Sequence, residues 1–301
     1  MISYKKDKNG KVIDLAYLET LINKHDATWL NRAALRTAKY KTAGKVTDSA
    51  PIWSEIKEVY MKLQGNKCAF CETELEGKTS GKGVHDVEHF RPKNRIRKWK
   101  SSEEFKAFRI SITDPGVTKG YHLLTYNLLN YTMACGPCNQ TLKSDQFPIK
   151  GNYNTLMEDP LTESATEIPL LLYPIGQVDD DCESLISFQG PIPVPVAKKG
   201  LKLHRARTTI DFFSLHRSDE RGRLFRERCE KIITISGLLS KDDDPDDYEN
   251  ILKNVLADHS NHANCARSYI KLLRTNKTKA AEILEEAKQF VRTYIPDGEL
   301  D

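Results

Sequence analysis

The chain has 301 residues, of which 39% are hydrophobic and 29% charged, and its formal net charge is only +4. This composition supports a folded core of one large domain or two ordinary ones. No apolar run approaches the roughly 18 residues that a membrane-spanning helix needs. The N-terminal MISYKKDKNGKVIDL lacks the apolar stretch of a secretory signal. We therefore expect a cytoplasmic protein with no membrane contact, in a compartment that keeps thiols reduced.

The N-terminal third predicts helices that lead into a cysteine pair. Residues 1–50 form an N-terminal extension, in which LAYLETLINKH at 15–25 has helical spacing. A firmer helix is predicted from SAPIWSEIKEVYMKL, with Ser49 as its cap, Pro51 in the first turn and Gly65 at its end. The chain then enters CAFC, continues through the turn-rich EGKTSGKG, and reaches a predicted short strand, VHDVEHF at 84–90.

The composition changes near residue 150, which suggests a boundary between a core at 51–150 and a mainly helical region at 151–301. Proline and glycine are frequent at 158–200, which predicts short strands and loops. Helical spacing and strong helix formers dominate from LKLHRARTTIDFF onward. The acidic KDDDPDDYE at 241–249 is interpreted as a solvated loop that caps the next helix. The fold class predicted from these elements is α+β.

Four of the seven cysteines form two CxxC pairs, Cys68/Cys71 and Cys135/Cys138. A two-residue gap lets both sulfurs of a pair turn inward, so two pairs can supply a closed tetrahedral S₄ shell for structural zinc. The alternatives are four ordinary buried cysteines or a redox pair. The remaining cysteines have no pairing pattern and are predicted to be small buried hydrophobes: Cys182, Cys229 and Cys265.

A zinc ion held this way would fold residues 72–134 into a closed loop. It would bring Glu88 and His89 toward Asn130, which precedes the second pair, and toward Asn139, which follows it. A neutral imidazole suits a general base near neutral pH. Carboxylate and amide oxygens suit Mg²⁺ or Mn²⁺. Adjacent strand residues point to opposite faces, so Glu88 and His89 can share a site only if the strand ends or bends there.

These motifs resemble the HNH endonuclease superfamily, whose zinc-stapled ββα-metal core would here be embedded in a mainly helical protein. CAFC, VEHFRPK, NYTMACGPCN and KSDQFP, with Lys143, Phe147 and Pro148, are more narrowly similar to the PtuB-type HNH nucleases of Septu and retron-associated antiphage systems. The resemblance is strong over residues 52–150 and fainter to about 232.

The resemblance implies a role for each matching residue. His89 would be the general base, Glu88 and Asn139 the ligands of a catalytic Mg²⁺ or Mn²⁺, and Asn130 the amide that holds the loop. Many HNH enzymes have histidine where this chain has Asn139. Lys143 stands four residues after Asn139, one more than the usual C-N-x-x-K spacing. The family also implies a PtuA-like ATPase partner, with a homodimer possible inside a larger complex.

A basic run follows the predicted base. Between Lys82 and Lys100, seven Lys or Arg residues face two acids, and such residues can neutralise the phosphates of DNA or RNA. The predicted nucleic-acid contacts are Arg91, Lys93, Arg95, Arg97 and Lys98. Trp99 is interpreted as a packing anchor rather than a base-stacking residue. A second set of arginines is expected to divide between a nucleic-acid surface and helix ion pairs: Arg205, Arg207, Arg217, Arg221, Arg223, Arg226 and Arg228.

Other interpretations stay open at this stage. The HDVEH segment could be a second metal cluster built on His85, Asp86 and His89, or His89 could be a satisfied core histidine. A zinc-stabilised nucleic-acid-binding module without catalysis would need the same cysteines and basic run. A toxin-like effector that cleaves tRNA would share the nuclease motifs. The remaining histidines are expected to be structural or surface residues: His122, His204, His216, His259 and His262.

Overall fold

The computed structural model describes residues 1–75, 86–161, 166–239 and 245–294. In these ranges the chain combines helices with three small antiparallel sheets, which confirms the predicted α+β class. The helices are α1 Leu15–His25, α2 Trp29–Ala43, α3 Lys57–Leu63, α4 Glu103–Lys106, α5 Cys182–Leu185, α6 Gly200–Phe212, α7 Gly222–Leu239, α8 Pro245–Leu256, α9 Ala263–Thr275 and α10 Lys277–Thr293. Three 3₁₀ turns and one π-helical segment supplement them, at Trp53–Ile56, His122–Leu124, Leu128–Asn130 and Pro137–Lys143.

The strands form three separate two-stranded sheets: β1 Asp86–His89 with β2 Tyr131–Ala134, β3 Ile149–Gly151 with β4 Glu167–Pro169, and β5 Ile186–Gln189 with β6 Ile192–Pro195. In the first sheet Glu88 pairs with Thr132 and His89 with Tyr131. The strand predicted at 84–90 is therefore confirmed over Asp86–His89. Residues 76–85, which include the whole predicted turn at 76–83, lie outside the described residues.

The helices predicted at 15–25 and from Ser49 both form, but Ser49 does not cap the second one. Asp14 caps α1 by accepting a hydrogen bond from the Tyr17 amide at 2.8 Å, and Leu18 and Ile22 bury one face. The helix predicted from Ser49 begins later, because the chain first forms the 3₁₀ turn at Trp53–Ile56 and then continues as α3, with no side-chain cap. The apolar positions of this segment are nevertheless buried at Ile52, Ile56, Val59 and Tyr60, and Leu63 is half-buried.

Gly65 turns the chain from α3 into the first cysteine pair. Its φ is +59°, a left-handed conformation that favours glycine, and an added Cβ would lie 2.7 Å from the Cα of His259. The glycine thus permits both the turn and a close approach of the loop that precedes α9. This contact is one of several by which the C-terminal helices pack on the segment that carries the cysteines.

The C-terminal half is mainly helical in the described residues, with strands, loops and the short helix α5 at 166–199. Helices α7, α9 and α10 pack against one another, and α9 also packs on β5. Asn276 caps α10 through a hydrogen bond from the Lys279 amide at 2.9 Å. Strand β3, which contains residue 150, pairs with β4. This sheet therefore spans the predicted boundary near residue 150. Part of the acidic run, residues 241–244, lies outside the described residues, and α8 begins at Pro245.

Across the described residues, no helix has both the length and the apolar composition that crossing a membrane requires.

Candidate functional site

The four paired cysteines converge on one point. All four are buried, and their sulfur atoms lie within 4.8 Å of one another. Tetrahedral zinc with bonds of about 2.3 Å places neighbouring sulfurs about 3.8 Å apart, and the Cys71 and Cys135 sulfurs are 3.6 Å apart. The Ala69 amide, inside the first pair, donates to the Met133 carbonyl on β2 at 2.9 Å. These cysteines are therefore arranged to bind a metal ion, and closed thiolate coordination is consistent with structural zinc.

The other three cysteines are buried singly, as predicted. Burial raises the pKa of Cys182, Cys229 and Cys265 to about 12 in each case. Such thiols stay protonated at neutral pH and are poor nucleophiles. They contribute to packing and not to chemistry.

Asn130, directly before β2, binds the segment that follows β1. Its side chain is fully buried, and its Oδ1 accepts a hydrogen bond from the Arg91 amide at 2.7 Å. Its Nδ2 donates to the carbonyls of Arg91 and Leu124, both at 3.1 Å. The Asn130 side chain thus binds both the backbone N–H and the backbone carbonyl of Arg91, two residues after His89. This is the position expected of a loop-holding amide, whose part in catalysis stays a prediction.

His89 is held by aromatic rings and one carbonyl. Its ring contacts Trp53 and Tyr131 edge-on, with centroids 5.0 and 5.1 Å away. Nε2 lies 3.1 Å from the Thr125 carbonyl oxygen. Because a carbonyl can only accept, Nε2 carries the proton and Nδ1 keeps its lone pair. Burial, with the positive charges of Lys93 and Lys143 adding to it, holds the pKa of His89 well below its usual value. The imidazole is therefore neutral.

Glu88 forms a buried ion pair with Lys143. The Lys143 ammonium lies 2.5 Å from Glu88 Oε1 and donates to the His89 carbonyl at 2.9 Å. Burial raises the pKa of Glu88, and Lys143 opposes that rise. The other carboxylate oxygen, Oε2, has no protein partner within the part of the chain that the structure describes. One carboxylate oxygen is thus occupied by a cation of the chain, and one is open.

Glu88, His89 and Asn139 line one cleft of about 870 Å³. Both Glu88 and His89 line this cleft, and β1 ends at His89. Asn139 is half-buried on the π-helical segment, where its backbone amide donates to the Cys135 carbonyl at 2.9 Å. The second cysteine pair thereby fixes the backbone of Asn139 beside the cleft. The structure brings these three residues together, while Asn130 lies behind them in the protein interior.

Comparison with known proteins finds Septu protein PtuB from Bacillus mycoides (strain KBAB4). It is 27% identical over 225 residues, which cover 72% of this chain and 68% of that protein. The chain is a homologue of Septu PtuB. No protein-family model matches the chain, and no solved structure matches it.

The basic run of this PtuB homologue divides into one buried and four accessible side chains. Lys93 lines the cleft, and its ammonium lies 4.5 Å from the centre of the Trp53 ring. Arg95 and Arg97 are exposed and share the Asp145 carboxylate, while Lys98 pairs with Asp114 at 2.7 Å. These four cations can reach an anion that enters from solvent.

Arg91 does not fit the predicted nucleic-acid contact. Its side chain is 2% exposed, and its Nε donates to Glu167 Oε1 at 2.9 Å. The rings of Phe90, Tyr121 and Phe147 surround the guanidinium at 5.6–6.0 Å. A guanidinium enclosed in this way cannot contact a phosphate, so Arg91 is a core residue of the PtuB homologue.

Most of the second arginine set also makes internal contacts. Arg205 is buried and pairs with Asp179 at 2.5 Å, and Arg228 donates to the Leu215 carbonyl at 2.7 Å. Arg223 and Arg226 form i,i+4 pairs with glutamates. The pairing interpretation therefore describes this set better than a nucleic-acid surface. Trp99 packs on Phe105 and Phe212, as a packing anchor would.

Three residues at the cleft or directly behind it carried no signal in the sequence. Trp53 lies in the turn before α3 and contacts both His89 and Lys93. Thr125 contributes only its carbonyl, which any residue has. Asp145 carried no such signal, although it neutralises two predicted phosphate contacts. The alternative metal cluster predicted in HDVEH includes His85, which lies outside the described residues. Among the residues that are described, the four cysteines are the one group of His, Cys, Asp and Glu side chains close enough to hold a metal.

Proposed function

We propose that this PtuB homologue is a metal-dependent HNH-type endonuclease that hydrolyses phosphodiester bonds in nucleic acid. The observation that supports it best is the cleft shared by Glu88, His89 and Asn139. The order of β1, β2 and the helical segment 137–143 beside a cysteine cluster supports a ββα-metal core. Among the described residues, Nδ1 of His89 has no hydrogen-bond partner, so its lone pair is free to face a substrate in that cleft.

In the proposed reaction, a water oxygen attacks the phosphorus and the bond to the 3′ oxygen breaks. Nδ1 of His89 takes the proton of the attacking water, and the Thr125 carbonyl keeps the ring oriented by accepting from Nε2. Glu88 Oε2 and the Asn139 carbonyl oxygen are the hard donors that would hold Mg²⁺ or Mn²⁺. That ion would polarise the phosphate and stabilise the leaving oxygen. Lys93 and Arg95 would bind the flanking phosphates.

We further propose that the protein is the nuclease component of a Septu-like antiphage defence system. The basis is its similarity to a protein named Septu protein PtuB. A cytoplasmic location, a PtuA-like ATPase partner and assembly as a homodimer within a larger complex belong to this proposal. The mainly helical region at 151–301 is the part proposed to contact that partner.

The test is a cleavage panel of duplex DNA, single-stranded DNA and tRNA, with Mg²⁺ or Mn²⁺, with and without the partner ATPase. His89→Ala should abolish cleavage while zinc content is retained. His204→Ala is the matched control, because His204 is half-buried on α6, away from the cleft residues, and it should cut like the parent protein. Undiminished cleavage by His89→Ala would sink the proposal. Cleavage of tRNA alone would favour a toxin-like effector.

The second candidate function is a zinc-stabilised binding module without catalysis. The ion pair between Lys143 and Glu88 favours it, because the ammonium already neutralises the carboxylate that a divalent ion would need. This candidate predicts salt-dependent nucleic-acid binding that His89→Ala leaves unchanged, with no cleavage under either metal. Titration with Mn²⁺, followed by electron paramagnetic resonance, separates the two candidates, since only the nuclease needs a site that Glu88→Gln removes.

A further inference from the structure

Arg221 lies against the cysteine cluster, although it is 83 residues beyond the last of the four cysteines. Its two terminal nitrogens are 3.8 and 3.7 Å from the Cys138 sulfur. One of them also donates to the Phe213 carbonyl at 2.8 Å, which fixes the orientation of the guanidinium. The residue directly precedes α7, so the contact joins the C-terminal helices to the cluster.

The charge of the cluster explains why a cation is needed there. Four thiolates around one zinc ion carry a formal charge of −2, and all four cysteines are buried. A buried charge is costly unless a partner offsets it. Arginine suits this position because it stays charged and its planar fork can offer two N–H groups to one sulfur. The cluster sulfurs in turn raise the pKa of Arg221 above its usual range, against the effect of burial.

A second contact beside Arg221 reaches the other cysteine pair. The ring of Phe213 stacks on Phe70, which lies between Cys68 and Cys71, with centroids 4.2 Å apart and planes 17° from parallel. The segment 213–221 therefore contacts both halves of the cluster, one through a ring and one through a guanidinium. One ion bound by all four cysteines would fix the two pairs relative to each other, and the segment 213–221 contacts both pairs in that relative position.

We propose that Arg221 is a functional residue of the metal site, which binds no metal itself but neutralises the thiolates and couples metal binding to docking of the segment 213–239. The proposal depends on a thiolate-bound metal and not on the proposed nuclease activity, so it stands or falls separately. It assigns to a residue of the C-terminal half a role in retaining the zinc of the N-terminal half.

The experiment compares zinc retention in Arg221→Met with that in Arg226→Met. Arg226 is a suitable control because it is on α7 and pairs with Glu230 at 2.8 Å, with no contact to a sulfur. The zinc-loaded full-length protein is mixed with a colour-forming chelator, and zinc transfer is followed at several chelator concentrations. Arg221→Met should lower zinc affinity by about 10- to 100-fold, the range typical for partners that support metal ligands. Arg226→Met should match the parent protein.

A second variant and a second readout cover the case in which Arg221→Met folds poorly. Arg221→Lys keeps the charge but loses the forked contact, so its zinc affinity should fall between those of the parent and Arg221→Met. In the cobalt-substituted protein, Arg221→Lys should shift the sulfur-to-cobalt charge-transfer band, because the two guanidinium nitrogens no longer contact Cys138 together. Zinc affinity within twofold of the parent in Arg221→Met, or an unshifted cobalt band in Arg221→Lys, would overturn the proposal.

Discussion

Asn130→Ala should destabilise the protein by an amount that can be worked out from three hydrogen bonds. The Asn130 side chain is the hydrogen-bond partner of both the amide and the carbonyl of Arg91. The third partner, the Leu124 carbonyl, keeps a bond from the Asn127 amide at 3.2 Å. Leaving a buried backbone group unpaired costs about 1–3 kcal/mol. Two such groups give an expected loss of about 4 kcal/mol in the free energy of unfolding.

The assay is urea unfolding of the zinc-loaded protein, with zinc content measured before each titration. Asn127→Ala is the matched control, since this half-buried asparagine accepts from the Leu129 amide at 2.9 Å and donates to the Glu158 carbonyl at 3.1 Å. It should lose only about 1 kcal/mol, as expected for a helix-capping position. Asn130→Asp should be no milder than Asn130→Ala, because both donors become acceptors facing carbonyls. A loss in Asn130→Ala no greater than in Asn127→Ala would refute this reasoning.

Three more predictions concern charge. Lys143→Met should lower the free energy of unfolding in urea by about 3 kcal/mol, because it leaves the Glu88 carboxylate buried and unpaired. The double variant with Glu88→Gln should recover most of that loss. No recovery would contradict the ion-pair account. Burial lowers the pKa of His262 in the folded protein, against the effect of Glu227. Below the pKa of histidine in the unfolded chain, about 6.5, the unfolded state therefore binds a proton that the folded state resists. The free energy of unfolding falls as the pH falls through this range. His262→Asn should remove up to about 1.4 kcal/mol per pH unit of that slope in unfolding titrations between pH 6.5 and 5, and an unchanged slope would count against it. Arg95→Ala should reduce the slope of log affinity for nucleic acid against log salt by about 1, whereas Arg91→Met should lower the melting temperature instead; equal slopes in Arg95→Ala and the parent protein would exclude a phosphate contact.

The sequence predicted those parts of the site whose geometry depends on local spacing. Two residues between cysteines determine how a pair folds, so the cluster of Cys68, Cys71, Cys135 and Cys138 could be predicted from the two CxxC motifs. The convergence of Glu88, His89 and Asn139 followed, because bringing the two pairs together leaves little freedom for the segments next to them. Their catalytic roles stay predictions that the cleavage panel tests.

Contacts between segments far apart in the chain could not be predicted from the sequence. Arg91 reads as one more cation of a basic run, but its partner Glu167 is 76 residues away. The carbonyl that orients His89 belongs to Thr125, and a backbone atom leaves no residue pattern to find. The same holds for the segment 213–221, whose contact with the cysteines depends on how the C-terminal helices pack. Burial at these positions is decided by tertiary structure, so residue type alone could not predict it.

Arg95 and Arg97 share the carboxylate of Asp145, so an anion of the chain already pairs with these two cations at the mouth of the cleft. Binding of a phosphate there is therefore an exchange of one anion for another. An incoming phosphate must displace a resident anion, so the gain from a single monoanion is small. The gain grows when several linked phosphates arrive together, because the chain that carries the first also delivers the next. Free phosphate and mononucleotides should therefore compete poorly here against a long polyanion.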